Sequence, residues 1–540
     1  MNPLASSKYA LRVLMSLAAI MGIFLMAGCS SSGPVTPNNQ GFSNSSLNGT
    51  YVFSSQGYDA SGDPLALAGA FVANGSGSIT GGTIDVIDPG FTSIPATAAQ
   101  SIKGGSYSIS SDGRGQVALQ STYPTFNLDF ALSSTSHGLV TEFDSNGTGS
   151  GTLDLQTALT GISQLAGPYA LGLAGTDNSG NPLITAGSFT FNAGGGIQDF
   201  NDNGIPYTAR PLSNSATLGT GTGPGEASFS TAFGTLAFDF YPIDATHLKF
   251  IETDYTNAYL AGDVFTQTGA SIPAGTLVFT MFGGTSTTVV ADGGIMTSDA
   301  NGNITDGLED VNDNGTVPGA QVPFTGIAGA SGVGGRVAVT LSGFVPAEEW
   351  AMYPTASGGL LLLELDTQSA TLGSAFAQSA TTFASSEGYG LNLSGINSNG
   401  PVGYIAQFNS ASSDTATPNM TGILDDSEFA TPIANIPLSA TYTSVGAGRG
   451  SITAPTTGNL GTFLGELNLV YYVIDGSNML FVDLDSSNTP AGPQVAVGTF
   501  EQQSSTAPGV VAHVAHRAIS TSTARPLVGS HATRGDFRRR

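Results

Sequence analysis

Apolar residues alternate with small or polar residues through most of the chain after residue 47. Tyr169, Leu171 and Leu173 follow this period of two. Such runs are bounded by Gly, Asn, Asp or Pro, and Asn-Gly pairs, for example at 74–75 and 203–204, are typical of hairpin turns. No stretch after residue 28 sustains a helical period. The pattern predicts an all-β fold built from short antiparallel strands.

The chain also repeats itself. Four copies of one pattern begin at Tyr51, Tyr169, Leu277 and Tyr389, and a glycine follows each of them six residues later. Each copy ends on an apolar run followed by two acids that are separated by one residue. A glycine comes after these acids, and a glutamine lies five residues beyond the glycine. The closing pairs are Gly151 and Gln156, Gly262 and Gln267, Gly373 and Gln378, and Gly498 and Gln503. A shared start and a shared end predict tandem modules, each long enough to bury its own core.

These patterns predict four tandem antiparallel modules of about eight short strands each. A closed meander barrel is the preferred architecture, because closure removes the unpaired strand edges that a charge-poor sheet cannot protect. A two-sheet sandwich is the main alternative, and a propeller with two blades per module is a third. The predicted segments are a signal peptide at 1–28, a lipidated flexible tether at 29–46, modules at 47–160, 161–270, 271–382 and 383–504, and a disordered basic tail at 505–540.

The first residues carry an export signal. Lys8 and Arg12 precede the apolar run 13–25, and small residues then lead to Cys29, the only cysteine of the chain. This order resembles the lipobox of bacterial lipoproteins. The resemblance implies cleavage after Gly28 and acylation of the Cys29 thiol, so that the chain is anchored to a membrane through lipid. The apolar run is shorter than the roughly 20 residues that span a bilayer.

Two neighbouring residues refine this resemblance. Met26 stands where the family usually has leucine, and Ser30 follows the cysteine in place of aspartate. In lipoproteins of bacteria with two membranes, the second feature implies transport to the outer membrane. The repeats and the composition also resemble tandem-repeat lipoproteins of soil bacteria, a group for which the resemblance implies no activity.

Composition limits the partners. Charged residues make up 10% of the chain, 74 of the 540 residues are glycine, and the net charge is −25. An acidic body of this kind repels phosphate backbones, so nucleic-acid binding is not expected. Cationic ligands, divalent metals and neutral glycans are compatible with it. Besides the membrane, the expected partner is a glycan or an envelope protein.

Two loops have the spacing of a calcium site. Asp199, Asn201 and Asn203, and likewise Asp310, Asn312 and Asn314, stand at positions one, three and five before a glycine. Such oxygen-bearing side chains can curl around a hard cation. Position twelve, however, holds Arg210 or Gln321 rather than glutamate. We therefore favour hairpin turns and predict no cofactor, with Ca²⁺ as the alternative.

The closing acids suggest a second kind of chemistry. Glu252 and Asp254 lie on one face of a predicted strand, and paired carboxylates carry out glycoside hydrolysis. Because the pair recurs in all four modules, a structural role is favoured and no enzyme is predicted. His137 and His247 are expected at the surface. Trp350 could stack on a sugar, although packing in a core is the favoured interpretation.

The sequence therefore predicts a lipid-anchored β-repeat protein of the cell envelope, with a non-catalytic role in binding, adhesion or surface display. One alternative is an envelope enzyme that acts on polysaccharide through the Glu-x-Asp carboxylates. Another is the binding of small apolar ligands inside barrel-shaped modules, which requires a continuous cavity in each module.

Overall fold

The computed structural model describes residues 40–89, 99–122, 125–254, 257–267, 271–344, 346–411, 418–454, 467–486 and 492–505. Within these ranges the chain forms 33 strands and three short 3₁₀ turns, at Asn44–Ser46, Ile162–Gln164 and Val333–Gly335. None of the described segments is a helix long and apolar enough to cross a membrane. The all-β prediction is confirmed.

The strands form four closed antiparallel barrels, which we number 1 to 4 along the chain. Barrel 1 consists of β1 (Asn48–Asp59), β2 (Pro64–Asn74), β3 (Ser78–Ile87), β4 (Gln100–Ile102), β5 (Gly104–Ile109), β6 (Arg114–Gln120), β7 (Thr125–Leu132), β8 (His137–Glu142) and β9 (Gly147–Leu155). Barrel 2 consists of β10 (Pro168–Asp177), β11 (Pro182–Thr190), β12 (Gly196–Asp202), β13 (Ile205–Thr217), β14 (Gly225–Thr231), β15 (Gly234–Pro242), β16 (His247–Glu252) and β17 (Ala258–Thr266).

The second half of the chain repeats this arrangement. Barrel 3 consists of β18 (Gly275–Thr285), β19 (Thr288–Ser298), β20 (Ile304–Asp313), β21 (Val322–Ala328), β22 (Val337–Ser342), β23 (Glu348–Pro354), β24 (Gly359–Glu364) and β25 (Thr371–Ala377). Barrel 4 consists of β26 (Gly388–Asn397), β27 (Pro401–Ser410), β28 (Met420–Glu428), β29 (Thr431–Gly446), β30 (Arg449–Thr453), β31 (Asn468–Val473), β32 (Asn478–Asp483) and β33 (Gln494–Gln502).

Every barrel is a meander in which the first strand pairs with both the second and the last. In barrel 1, β4 and β5 both pair with β3 and together occupy the fourth of eight strand positions. The preferred barrel architecture is thus confirmed, and the sandwich and propeller alternatives are wrong. The strands are not all short, since β29 has 16 residues.

The repeated glycine near each module end closes the barrel. A Cβ atom added at Gly151, Gly262, Gly373 or Gly498 would lie 1.8–2.1 Å from a backbone oxygen of the first strand of the same barrel. No side chain fits at that distance. The glycine is therefore required by the close approach of the first and last strands.

Apolar side chains fill the barrel interiors. In barrel 2, Phe189 on the second strand contacts Phe229 on the fifth, with ring centroids 5.0 Å apart. In barrel 3, Phe279 on the first strand lies 6.1 Å from Phe324 on the fourth and 5.3 Å from Trp350 on the sixth. These rings meet across the middle of the barrel, where a bound apolar ligand would have to lie. In these two barrels side chains occupy the space that the apolar-ligand alternative requires.

The four barrels pack side by side in a closed ring. The second strand of each barrel contacts the seventh strand of the next, and the pairs in contact are β2 and β16, β11 and β24, β19 and β32, and β27 and β8. The last pair joins barrel 4 to barrel 1. A head-to-tail interface repeated in this way closes once its rotation brings the last copy back to the first. We call the contacts between neighbouring barrels seams 1–2, 2–3, 3–4 and 4–1.

Glutamines of the repeat help to close the ring. Gln156 donates to the carbonyl oxygen of Pro242 in barrel 2 at 2.8 Å, and Gln378 donates to that of Val473 in barrel 4 at 2.8 Å. Gln503, at the end of barrel 4, donates to the carbonyl oxygen of Leu132 in barrel 1 at 2.9 Å. The same contact therefore recurs at the seam between the first and the last barrel.

The ring has two distinct faces. The upper face carries the turns that follow the first, third, fifth and seventh strands of each barrel, and the lower face carries the other turns and the links between barrels. Upper turns contact upper turns across the seams, as where the backbone N–H of Ser286 donates to Asn203 at 2.7 Å. The described chain begins and ends on the lower face of barrel 1, where Gln40 and Ser504 donate to the carbonyl oxygens of Ser111 and Ser133.

Candidate functional site

Asp199 and Asp310, the first residues of the two predicted calcium loops, lie at seams between barrels. Asp199 is buried on β12 and accepts hydrogen bonds from Arg336 and Tyr353 of barrel 3, both at 2.5 Å. Asp310 on β20 forms an ion pair with Arg449 of barrel 4 at 2.7 Å. Each carboxylate is thus held by cationic and phenolic groups of the next barrel.

Two asparagines of the same loops also reach across a seam. The side-chain amide of Asn201 lies 2.9–3.1 Å from the carbonyl oxygens of Glu364, Asp366 and Ser369 in barrel 3. The amide of Asn312 lies 2.7–3.0 Å from three carbonyl oxygens of barrel 4. The amide nitrogens thus position loops of the neighbouring barrel, while the amide oxygens accept the backbone N–H groups of Gly204 and Gly315 at 2.9 and 3.0 Å.

Asn203 and Asn314 form the turns themselves. Their φ angles are 52° and 51°, and the glycines that follow also have positive φ. This is the geometry of the hairpin interpretation. The Asn314 side chain accepts the backbone N–H of Val289 in its own barrel at 2.8 Å. The six residues of the two predicted calcium sites all have protein partners, and calcium binding by them stays the untested alternative to the hairpin turns.

The aspartate of β12 and β20 has a counterpart in the other two barrels. Asp85 on β3 accepts a 2.5 Å hydrogen bond from Tyr241 of barrel 2, and Asp425 on β28 forms a 2.9 Å ion pair with Arg114 of barrel 1. One buried aspartate on the third strand therefore recurs at all four seams. The repeat spacing placed these residues at corresponding positions, but the sequence did not show that the partner lies in the next barrel.

The Glu-x-Asp pairs close the upper end of the barrel interiors. Glu252 is fully buried and accepts the backbone N–H of Leu260 at 3.1 Å, while Asp254 accepts that of Ala237 at 3.0 Å. Burial and then the nearby Asp254 carboxylate raise the pKa of Glu252 to about 9. The pair therefore combines an acid that is protonated at neutral pH with a carboxylate that fixes a loop.

Barrel 3 gathers one further acid at this end. Glu348, Glu364 and Asp366 have oxygen atoms within 4.8 Å of one another, a grouping that could hold a metal ion. Glu348 occupies a position where barrels 1 and 2 have the apolar residues Phe126 and Leu236. Sequence reasoning did not single out Glu348, although this departure from the repeat was its signal.

Trp350, His137 and His247, for which surface positions were considered, are buried. Trp350 is fully buried inside barrel 3, so the sugar-stacking interpretation is wrong and packing is correct. His137 and His247 are also buried, so their expected surface position is wrong. His137 contacts Asp154 at 2.6 Å and, across seam 4–1, Glu501 at 3.2 Å. His247 contacts Asp263 at 2.9 Å.

Acidic residues concentrate at the upper face. The upper turns and the strand ends beside them contain Asp59, Asp63, Asp88, Glu142, Asp144, Asp177, Asp202, Glu252, Asp254, Asp313, Glu348, Glu364, Asp366, Glu428, Asp483 and Asp485. Within the described part of the chain, these turns contain no lysine or arginine. The lower turns are mixed in charge, since Arg114, Arg336 and Arg449 lie at the strand starts there. The upper face is therefore the more negative of the two, although acids such as Asp112, Asp244, Asp299 and Asp475 outnumber the arginines on the lower face as well.

Fold and geometry define a closed ring of four eight-position meander barrels whose chemically distinctive groups lie at the seams and at one acidic face. No protein-family model and no curated protein matches the chain. Among solved structures, a transferrin binding protein B from Haemophilus parasuis is 8% identical, with 71% of this chain and 83% of that chain covered and a TM-score of 0.19. Kievitone hydratase from Nectria haematococca is 10% identical over 64% of this chain and 90% of its own, with a TM-score of 0.18. Neither similarity is close enough to support an argument about function.

Proposed function

We propose that this protein is a lipid-anchored, non-catalytic protein of the cell envelope that holds an acidic binding face away from the membrane. The observation that carries the proposal is that the ends of the described part of the chain, at Gln40 and Ser504, and the acidic turns lie on opposite faces of the ring. Ten residues lie between Cys29 and Gln40, and a fully extended chain covers these eleven Cα-to-Cα steps in at most about 40 Å. A lipid on Cys29 would therefore keep the lower face towards the bilayer.

The buried acids support a role in binding rather than catalysis. A glycosidase needs a proton donor and a second carboxylate that reach the sugar from either side. Glu252 has no exposed surface, and its partner Asp254 holds a backbone N–H of its own barrel. Asp177, Asp202 and Glu428 of the upper turns are only partly buried, and the ring presents them on one face. Cationic segments of an envelope protein are the partner that this charge favours.

The anchor is tested by metabolic labelling. Cells that express the chain are expected to incorporate radioactive palmitate into it, because the lipobox cysteine supplies the thiol. The Cys29→Ser variant is expected to carry no label and to leave the membrane fraction. Equal labelling of the two proteins would refute the anchor. The ring fold does not depend on this outcome, since Cys29 lies outside the described residues.

The acidic face is tested with decalysine as a cationic probe. In 20 mM salt, Asp177→Asn, Asp202→Asn and Glu428→Gln together are expected to weaken binding about tenfold, since each exposed charge pair contributes about 0.2–1 kcal/mol. The matched control removes three acids of the lower turns, with Asp244→Asn, Asp299→Asn and Asp475→Asn. Fluorescence anisotropy measures the affinity. Equal weakening by both triple variants would mean that net charge, and not the upper face, attracts the probe.

A further inference from the structure

Two of the four seams contain a buried aspartate side chain that the other two lack. The sixth strand carries Asp239 in barrel 2 and Asp129 in barrel 1, and the corresponding residues of barrels 3 and 4 are Ala351 and Val470. Asp239 lies at seam 1–2 and Asp129 at seam 4–1, the two seams that barrel 1 forms. Seams 2–3 and 3–4 have a small or apolar side chain instead.

The carboxyl groups of seam 1–2 also lack a cationic partner, because the buried Lys249 at this seam forms its ion pair with Asp263 at 2.7 Å. The residue before the fifth strand is Arg336 in barrel 3 and Pro224 in barrel 2. At seam 2–3 this arginine neutralises Asp199. At seam 1–2 the groups that face Asp239 are Asp85, Tyr241 and Glu226, none of which is positive at neutral pH. Two carboxyl groups, on Asp85 and Asp239, meet there in one hydrogen-bonded cluster.

Seam 4–1 has one arginine for three acids. Arg114 contacts Asp425 at 2.9 Å and Asp112 at 3.2 Å. Asp129 faces Asp425 and the Arg114 guanidinium, and it accepts a 2.8 Å hydrogen bond from Gln116. A single guanidinium cannot neutralise all three carboxylates, so this seam also needs a bound proton to be balanced.

We propose that barrel 1 detaches from barrels 2 and 4 at alkaline pH, while barrels 2, 3 and 4 stay assembled. The opened ring exposes the faces of seams 1–2 and 4–1. Barrel 1 remains connected to barrel 2 through residues 156–167. This opening differs from general unfolding because each barrel stays folded around its own hydrophobic core.

The direction of the pH dependence follows from linkage. Burial and the Asp85 carboxylate raise the pKa of Asp239 to about 8, and burial and Asp425 raise that of Asp129 to about 8. Both values lie above the ordinary range, so the stability of these seams is fully present below about pH 4 and is lost as pH rises through 8. Burial opposes protonation of His137, but Glu501 and Asp154 outweigh it and raise its pKa to about 10, so this contact across seam 4–1 weakens in the same direction.

Distances between nitroxide labels test the proposal in the full chain carrying Cys29→Ser. One pair, at Ser145→Cys and Asn399→Cys, reports on barrels 1 and 4, and a control pair, at Ser179→Cys and Thr367→Cys, reports on barrels 2 and 3. Between pH 6 and pH 9.5 the first distance is expected to lengthen while the control distance stays constant. Fluorescence of Trp350, the only tryptophan, shows whether barrel 3 remains folded.

The acid pairs are tested by neutral replacements. Asp239→Asn with Asp129→Asn is expected to move the opening by at least one pH unit to higher pH. If that variant does not fold, Asp239→Ala with Asp129→Val copies the residues of barrels 3 and 4. Glu252→Gln, a buried acid outside the seams, is the matched control and leaves the midpoint unchanged. An unchanged midpoint in both seam variants, or a distance that lengthens only when Trp350 fluorescence reports unfolding, would overturn the proposal.

Discussion

Replacement of Asp310 by alanine is expected to lower the free energy of unfolding by about 3–5 kcal/mol, the usual cost of removing one partner from a buried ion pair. The carboxylate accepts two hydrogen bonds from Arg449, at 2.7 and 2.8 Å, and one from Tyr472 at 2.5 Å. Without it, the partly buried guanidinium loses its carboxylate acceptor, and the fully buried phenol keeps only the carbonyl oxygen of Gly293. Urea denaturation followed by Trp350 fluorescence measures the effect in barrel 3, which contains both Trp350 and residue 310.

Asp306→Ala is the matched control for this prediction. Asp306 lies on the same strand, β20, and is exposed. A surface substitution of this kind changes stability by about 0.5 kcal/mol or less. Similar losses from the two variants would mean that the seam contributes little and that Asp310 acts only through strand propensity.

Replacement of Glu252 by glutamine is expected to stabilise the protein at pH 8 and to reduce its sensitivity to alkali. Because folding raises the pKa of this carboxyl group to about 9, the contribution of Glu252 to stability is greatest below about pH 4 and is lost as pH rises through 9. Each unit of pKa difference corresponds to about 1.4 kcal/mol, so the gain is of the order of a few kcal/mol. Glutamine keeps an oxygen that can accept the Leu260 N–H.

Thermal melting from pH 5 to pH 9 checks the second prediction. The melting temperature of the wild type should fall across this range more steeply than that of Glu252→Gln. Asp306→Asn, at an exposed acid of barrel 3, should follow the wild type. Parallel curves for wild type and Glu252→Gln would show that the Glu252 carboxyl group is ionised in the folded protein.

Contacts at the seams explain why the polar residues on β12 and β20 resemble a calcium-binding loop in the sequence. An aspartate, an asparagine and a turn asparagine at alternate positions point to one side of a strand, as ligands of a cation would. In the ring, that side faces the neighbouring barrel, which supplies an arginine, a tyrosine and backbone carbonyl oxygens. The ligands of a bound cation and the polar residues of a domain interface are of the same types. In both places their side chains give coordination or hydrogen bonds to groups that are buried away from water.

The buried histidines show the opposite case. His137 and His247 lie beside an acidic strand, which in the sequence is typical of a solvated surface. Their acidic partners are Asp154 on the next strand, Glu501 from barrel 4 and Asp263 within barrel 2. Burial of an imidazole among carboxylates depends on contacts that are distant along the chain, so the local pattern gave no signal for it.

The sequence by itself determined the elements of this protein. Alternating apolar residues and glycine-containing turns predicted the strands, and the positions of Tyr51, Tyr169, Leu277 and Tyr389 predicted four modules. Backbone preferences and the burial of one strand face depend on residues that are close together in the sequence, so the sequence alone predicts them. The glycines at the module ends were visible in the same way, although their role in strand approach was not.

Only the tertiary structure decided how the modules meet. The sequence contains Asp85, Asp199, Asp310 and Asp425 as similar residues in similar turns, without indicating that each is bound by the following barrel. Closure of the ring depends on the angle between neighbouring barrels, a property of whole surfaces rather than of any segment. The fold places the acidic turns on one face and the ends of the described part of the chain, at Gln40 and Ser504, on the other, and the proposed function depends on that placement.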